Sequence, residues 1–243
     1  MVHLTVYAGL RRVEVLVRLS GCRKRHTLVT GSTVPGSNLL EKEWVDSVYS
    51  SLTTEEKVSQ LFVNWVSPEQ SNFDEVKKLI VEDKIGGLIF SIGTTKSHVE
   101  LLNKLQSLAK TPLLISMDAE WGPAQRLSDV FAHPWNMTLG AIQDNSQVRE
   151  ISKRIAEQNK ALGVHINFSP SVDVNINSKN PIIGNRSFGE DPKNVYRKAK
   201  AYIQGHKDVG VYTSIKHFPG HGLSLIHISE PTRLLSIGGA GVG

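Results

Sequence analysis

The residues best equipped for chemistry fall in three short segments. In Met117-Asp118-Ala119-Glu120-Trp121-Gly122, Asp118 ends an apolar run, where a strand can deliver its carboxylate to a cleft. There it could accept from two adjacent sugar hydroxyls, and an acid in such a loop can equally cap a helix. Arg126 follows eight residues later and faces either the same cleft or solvent. Trp121 offers a ring that could stack on the apolar face of a sugar or pack over the cleft mouth. In Asn185-Arg186-Ser187-Phe188-Gly189-Glu190-Asp191-Pro192, Arg186 is the permanent charge of a Gly- and Asn-rich bend. Asp191 and Pro192 are instead the residue types of an N-cap and a first helical position. The third segment is Lys216-His217-Phe218-Pro219-Gly220-His221-Gly222, in which a lysine and a histidine leave an apolar strand together. That pair concentrates strong hydrogen-bond donors in a small volume, which suits an oxygen-rich, uncharged ligand.

Metal and cofactor sites find little support in the sequence. Asp173-Val174-Asn175-Ile176-Asn177 begins like a calcium loop, but Ser178 occupies the glycine position and Gly184 the final acid position. His217 and His221 are four apart, yet Pro219 and Gly220 between them forbid the helix on which such a pair normally holds zinc. There is no G-x-G-x-x-G or Walker sequence. The expectation is therefore no metal and no cofactor.

Positioning these side chains requires a regular scaffold, and the chain has the pattern of one from about residue 40 onward. Thr53-Thr54-Glu55-Glu56 is a capping box that opens a helix, which Val58, Leu61, Phe62 and Trp65 extend at helical spacing. Phe73, Val76, Leu79 and Ile80 predict a second helix, ending at Gly86-Gly87. Leu88 to Ile92 is a buried-strand run, followed by a helix marked by Val99, Leu102, Leu105 and Leu108. Leu113 to Met117 is the next strand; Ser146 is placed to cap a helix through about Leu162; Val164 to Phe168 follows as a strand. A polar loop over 169–191, a helix to about Asp208 and a strand from Val211 to Ile215 complete the pattern. Strands alternating with helices imply βαβ units and a parallel sheet. Asp118, Asp173 and the Lys216-His217 pair each follow a different strand, the habit of a (β/α)8 TIM barrel rather than a doubly wound sheet. A complete barrel takes about 250 residues, so the expectation is a partial α/β barrel of about half the strands.

Charge is unevenly distributed. The formal excess of +5 lies entirely in residues 1–38, a basic arm without clean periodicity, expected to be unstructured or spurious. The body is neutral, which argues against a nucleic-acid partner, and no apolar run reaches the roughly 20 residues of a membrane span. Cys22, the only cysteine, sits in Leu19-Ser20-Gly21-Cys22, similar to a bacterial lipobox, but Glu14 and Arg18 interrupt the apolar stretch such a signal needs. Localisation, exported or cytoplasmic, stays open.

KHFPGHG and NRSFGEDP, with the strand-ending Asp118, Arg126 and the FSPSVDVN loop, resemble the N-terminal barrel domain of family 3 glycoside hydrolases. The Pro-Gly-His-Gly ending resembles the β-N-acetylhexosaminidase branch more than the β-glucosidase branch, and the resemblance spans residues 39–222. It implies that Asp118, Arg126, Arg186, Lys216 and His217 hold an N-acetylglucosamine-type residue of an oligosaccharide or glycoside in the −1 subsite. It also implies a retaining mechanism with a histidine acid/base, paired with an aspartate, on the loop directly after KHFPGHG, and an aspartate nucleophile further on. Neither is in register downstream of Gly222, so no catalytic residue is assigned.

Leu223 to Arg233, LSLIHISEPTR, instead matches the translated end of a transposon-based sequencing adapter. The tail 223–243 is therefore set apart from the fold, and its His227, Ser229 and Glu230 are expected to carry no chemistry. Three segments result: the arm 1–38, the barrel portion 39–222 and the tail 223–243. The chain itself is expected to be an inactive fragment of its parent enzyme. A β-glucosidase-type specificity and a non-catalytic sugar-binding half-barrel are the alternative readings.

Overall fold

The computed structural model describes residues 37–218 and 220–222. The arm with Cys22, Pro219 and the tail 223–243 lie outside the described residues.

Helix α1 (Ser37–Ser51) leads into α2 (Thr54–Ser59), which opens on the expected capping box. Thr53 Oγ1 accepts from the Glu56 amide at 3.2 Å while Glu56 Oε2 accepts from the Thr53 amide at 2.9 Å. The helix does not run on to Trp65. It ends at Ser59, and the chain turns to form β1 (Val63–Val66) against β2 (Gly87–Phe90). Backbone contact dictates that turn: Gly86 donates to Ser59 O at 3.2 Å, and a Cβ on Gly86 would lie 1.9 Å from Gln60 O. Three of the four β1 residues, Val63, Trp65 and Val66, are β-branched or aromatic. Sheet pairing thus overrides a local helical period, and Leu61 and Phe62, which completed that period, are exposed.

The remaining elements are α3 (Phe73–Val81), α4 (Thr95–Leu108), β3 (Leu114–Met117), α5 (Asn136–Ala141), α6 (Asn145–Ala161), β4 (Ile166–Asn167), α7 (Pro192–Val209) and β5 (Tyr212–Thr213). Two short 3₁₀ turns, Pro123–Gln125 and Gly184–Arg186, lie in the connecting loops. The N-cap of α6 is Asp144 rather than Ser146: its carboxylate accepts from both the Ser146 amide and the Ser146 hydroxyl, at 2.8 and 2.7 Å. For α7 the expected pair holds, with Asp191 accepting from Lys193 and Asn194 and Pro192 in the first turn.

All five strands are parallel and their spatial order is β1-β2-β3-β4-β5. A doubly wound sheet reverses its strand order at a switch point, whereas strands laid down in sequence order belong to a barrel wall. The described residues therefore form consecutive βα units of a (β/α)8 architecture. One apolar cluster joins β1–β3 to α3 and α4 through Val66, Leu88, Phe90, Ile115 and Met117 against Val76, Ile80, Leu102 and Leu105. A second joins α5, α6 and α7 through Leu139, Val148, Ile155, Phe188, Val195 and Tyr202. At the α6–α7 crossing Gly205 allows near contact of backbones, since a Cβ there would lie 2.3 Å from Arg149 O. Among the described residues no helix is long and apolar enough to cross a membrane.

Candidate active site

The segment leaving β3 is clamped from two neighbouring elements. On β4, Asn167 Oδ1 accepts from the Ala119 amide at 3.0 Å and Asn167 Nδ2 donates to Ala119 O at 2.9 Å. From α7, the buried Tyr202 hydroxyl donates to Glu120 O at 2.9 Å. Gln125 Oε1 takes the Glu120 amide at 2.7 Å. Every polar backbone group of this stretch that these side chains reach is satisfied, so Asp118 and Glu120 leave the strand end in fixed directions.

Their carboxylates organise a cluster of cations. Asp118 accepts from Arg126 Nη2 and from Lys216 Nζ, both at 2.8 Å. Lys216 Nζ also lies 2.8 Å from Glu120 Oε1, so one ammonium bridges the two acids. Glu120 is fully buried and receives Arg186 as a fork, with Nη2 at 2.8 Å from Oε1 and Nε at 3.2 Å from both oxygens. Burial alone would push the Asp118 carboxyl up, but Lys216 and Arg126 together outweigh it and hold the group below the usual carboxylate range. Burial likewise opposes ionisation of Glu120, and Arg186 with Lys216 more than compensates, so it too is held low. Both acids are thus anions at neutral pH. The cluster combines two carboxylates with three cations, each cation paired to an acid, and carries one net positive charge.

The third segment is tied down by Asp173. Its Oδ2 accepts from Ser171 Oγ at 2.9 Å, from the His217 amide at 3.2 Å and from His217 Nδ1 at 2.6 Å; its Oδ1 accepts from the His221 amide at 2.6 Å. Burial would raise this carboxyl, but the His217 side chain and the other donors bring it down to about 2. Lys216 itself pairs with Ser171 across a parallel bridge, and the Ser169–Pro170 and Lys216–His217 peptides beside it are both cis. Arg186 is set by its loop: Asn136 Nδ2, on α5, donates to Arg186 O at 2.9 Å, and Arg186 Nη1 donates to Ile182 O at 3.2 Å. Close by in sequence, Trp121 stacks on the half-exposed Trp135 with ring centroids 4.0 Å apart.

The sequence matches a family model. The glycosyl hydrolase family 3 N terminal domain matches residues 53–233, most of the chain, of which 223–233 lie outside the described residues. The chain belongs to glycosyl hydrolase family 3. Among relatives of this family 3 domain, beta-hexosaminidase A of Pseudoalteromonas piscicida is 35% identical over 173 residues, covering 66% of this chain and 29% of that protein. A Cellulomonas fimi protein named beta-N-acetylglucosaminidase/beta-glucosidase is 32% identical over 183 residues, covering 74% of this chain and 32% of its own length. The solved structure of a family 3 beta-N-acetylglucosaminidase from Paenibacillus sp. str. FPU-7 is similar at a TM-score of 0.65 and 38% identity, covering 70% of this chain and 34% of that one. The chain therefore spans about a third of the length of these proteins.

Within the family 3 domain, the five residues singled out from sequence come together. Asp118, Arg126, Arg186 and Lys216 share one ion-pair cluster, and His217 adjoins it on the same loop as Lys216. Two further groups of the site went unassigned in the sequence. Glu120 carried a signal, its spacing of two from Asp118 at a strand end, but not the fact that it would be buried beneath Arg186. In the sequence Asp173 follows a strand and opens a failed calcium loop; the structure gives it a different task, gathering the His217 loop.

Proposed function

We propose that this site holds the terminal residue of a β-linked N-acetylhexosaminide, with Asp118, Arg126, Arg186, Lys216 and His217 lining the −1 subsite of a family 3 β-N-acetylhexosaminidase. The observation that carries the reading is the single Lys216 ammonium at 2.8 Å from both Asp118 and Glu120, with Arg126 and Arg186 each engaged by one of the same acids. An anionic ligand would have to displace those carboxylates from their cations, and a cationic one would meet three fixed positive groups. A neutral sugar needs neither: it finds one ionised acceptor, Asp118, and donors already oriented around it. The Trp121–Trp135 stack, next in sequence to Glu120, would offer an aromatic surface of the kind that covers the apolar side of a pyranose. Relatives named for hexosaminidase activity support the same choice.

Retaining hydrolysis needs a proton donor and a nucleophile about 5 Å apart, and the donor must keep its proton near neutral pH. Among the described residues, Asp118, Glu120 and Asp173 are all held ionised by their partners, so their work is to bind and orient. Proton transfer and the covalent step fall to the histidine-bearing loop and the aspartate that the family resemblance places after KHFPGHG. Titration calorimetry of the 243-residue chain with N-acetylglucosamine should show binding, weakened at least about tenfold in Asp118→Ala and Arg186→Ala. The same chain should release no p-nitrophenol from p-nitrophenyl N-acetyl-β-glucosaminide. Binding that survives both substitutions would defeat the reading, and turnover would defeat the assignment of the chemical steps to residues after KHFPGHG. A β-glucoside specificity is the second reading, favoured by the relative named for both activities; glucose outcompeting N-acetylglucosamine would select it.

A further inference from the structure

The Asp173 carboxylate makes no hydrogen bond or ion pair with the side chains of the Asp118–Glu120 cluster, yet it reaches both ends of the histidine loop. It is almost fully buried, and its two oxygens serve different turns of the chain. Oδ1 takes the His221 amide, and Oδ2 takes the His217 amide together with His217 Nδ1. The surroundings leave no slack, since a Cβ on Gly222 would lie 2.1 Å from Val174 O. Backbone amides can only donate, so both oxygens of Asp173 are committed as acceptors. The 2.6 Å contact between Oδ2 and His217 Nδ1 then requires the proton to sit on the nitrogen. A neutral imidazole protonated at Nδ1 carries its lone pair on Nε2. No described residue hydrogen-bonds that nitrogen, and the side chain is 27% exposed.

We infer that Asp173 is a positioning residue that fixes His217 in its Nδ1–H form, making Nε2 a hydrogen-bond acceptor for a hydroxyl of the bound sugar. This changes what the wall of the site recognises. Lys216, Arg126 and Arg186 only donate, so they accept a hydroxyl, an ether or a fluorine without strict distinction. His217 Nε2 instead requires a ligand group that can give a proton, and a site built around such a requirement rejects analogues lacking it. The ligand half of this inference rests on the sugar-binding reading above; the tautomer half does not.

The test begins without ligand. In the full chain labelled with ¹⁵N-histidine, the His217 signals, identified by their loss in His217→Gln, are read by magic-angle-spinning spectroscopy, which needs no freely tumbling monomer. In its neutral ring, His217 should show a protonated Nδ1 and a bare Nε2; the opposite assignment overturns the proposal. Asp173→Asn should move the proton to Nε2, because an amide can turn its own NH₂ toward Nδ1. An unchanged tautomer in a folded Asp173→Asn variant would also overturn it, and if that variant does not fold the wild-type spectrum decides alone. With ligand, at least one of the 3-, 4- and 6-deoxyfluoro analogues of N-acetylglucosamine should bind about tenfold more weakly than the parent because of His217, and that discrimination, unlike any made by Asp118, should be lost in Asp173→Asn. Equal binding of all of them by the wild type would remove the acceptor role. Failure to bind N-acetylglucosamine at all, with the Nδ1–H signature present, would sink the sugar reading and leave the Asp173 assignment standing.

Discussion

Single side chains in this domain are held in charge states that the fold depends on. His206, fully buried on α7, accepts from Asn167 Nδ2 at Nε2 (3.0 Å) and faces Ser152 Oγ with Nδ1 (2.7 Å), and Ser152 in turn donates to Tyr202 O. Burial pushes the imidazole down to about 4, against a small opposing pull from the Tyr202 backbone. His98, His133 and His165 are lowered for the same reason, desolvation. A histidine whose folded pKa lies below its unfolded one leaves stability intact above the unfolded value and removes it as the pH falls. Between pH 7 and 5, His206 alone should therefore cost the fold about 2 kcal/mol, seen as a fall in the urea midpoint that His206→Gln reduces. A midpoint indifferent to pH over that range would refute this. Asp173 adds a second loss at lower pH. Held at about 2, it contributes on the order of 2 kcal/mol above the ordinary aspartate range, surrendered as acid reaches its folded value.

Among the elements, contact between backbones decides more than propensity does. The α6–α7 crossing is fixed where Gly205 meets Arg149 O and Lys153 N, and Gly140 of α5 lies as closely against Phe188 O, steadying the loop that carries Arg186. Gly205→Ala places a methyl group 2.3 Å from backbone oxygen, which no rotamer relieves. It should lower stability by about 1–3 kcal/mol by denaturant titration, although alanine is the better helix former. A neutral or stabilising result would mean that the two helices can move apart freely.

The same contrast explains what could be read from the sequence. The boxes at Thr53–Glu56 and Asp191–Pro192 were legible because capping is settled within four residues. The strands before Asp118 and Lys216 are legible from apolar runs meeting polar loops, although β5 is shorter than the run Val211 to Ile215 that announces it. The β1 strand was hidden beneath a helical period, because the residues that overrule it, Gly86 and Gly87, are more than twenty positions away. α5 has no side-chain cap to announce it, and Glu120 becomes a site residue only through an arginine 66 positions later. Local chemistry could be read directly; partners brought in by the fold could not.

For the molecule as a whole, the described sheet begins at β1 and ends at β5. Beside the first lie the exposed Val58, Leu61, Phe62 and Trp65. Residues 39–222 carry no net charge, so little repulsion keeps two copies apart. Concentration-dependent self-association is the expected outcome in sedimentation velocity, eased by Trp65→Lys on the β1 edge. A sharp monomer boundary at every concentration would contradict it.

Lys216 and Asp118 are separated by 98 positions, and Arg186 and Glu120 by 66. A ribosome working from the N-terminus releases Glu120 well before Arg186 and Lys216, the cations that neutralise it, whereas Asp118 gains Arg126 eight residues later. During that interval Glu120 has no counter-ion, and burying it would be expensive, so the emerging chain has reason to keep the loop after β3 open to water. The pocket would then close late in synthesis, when Lys216 arrives. Nascent chains stalled before residue 216 should leave the 118–126 segment open to protease, and protection at that stage would argue against such an order of events.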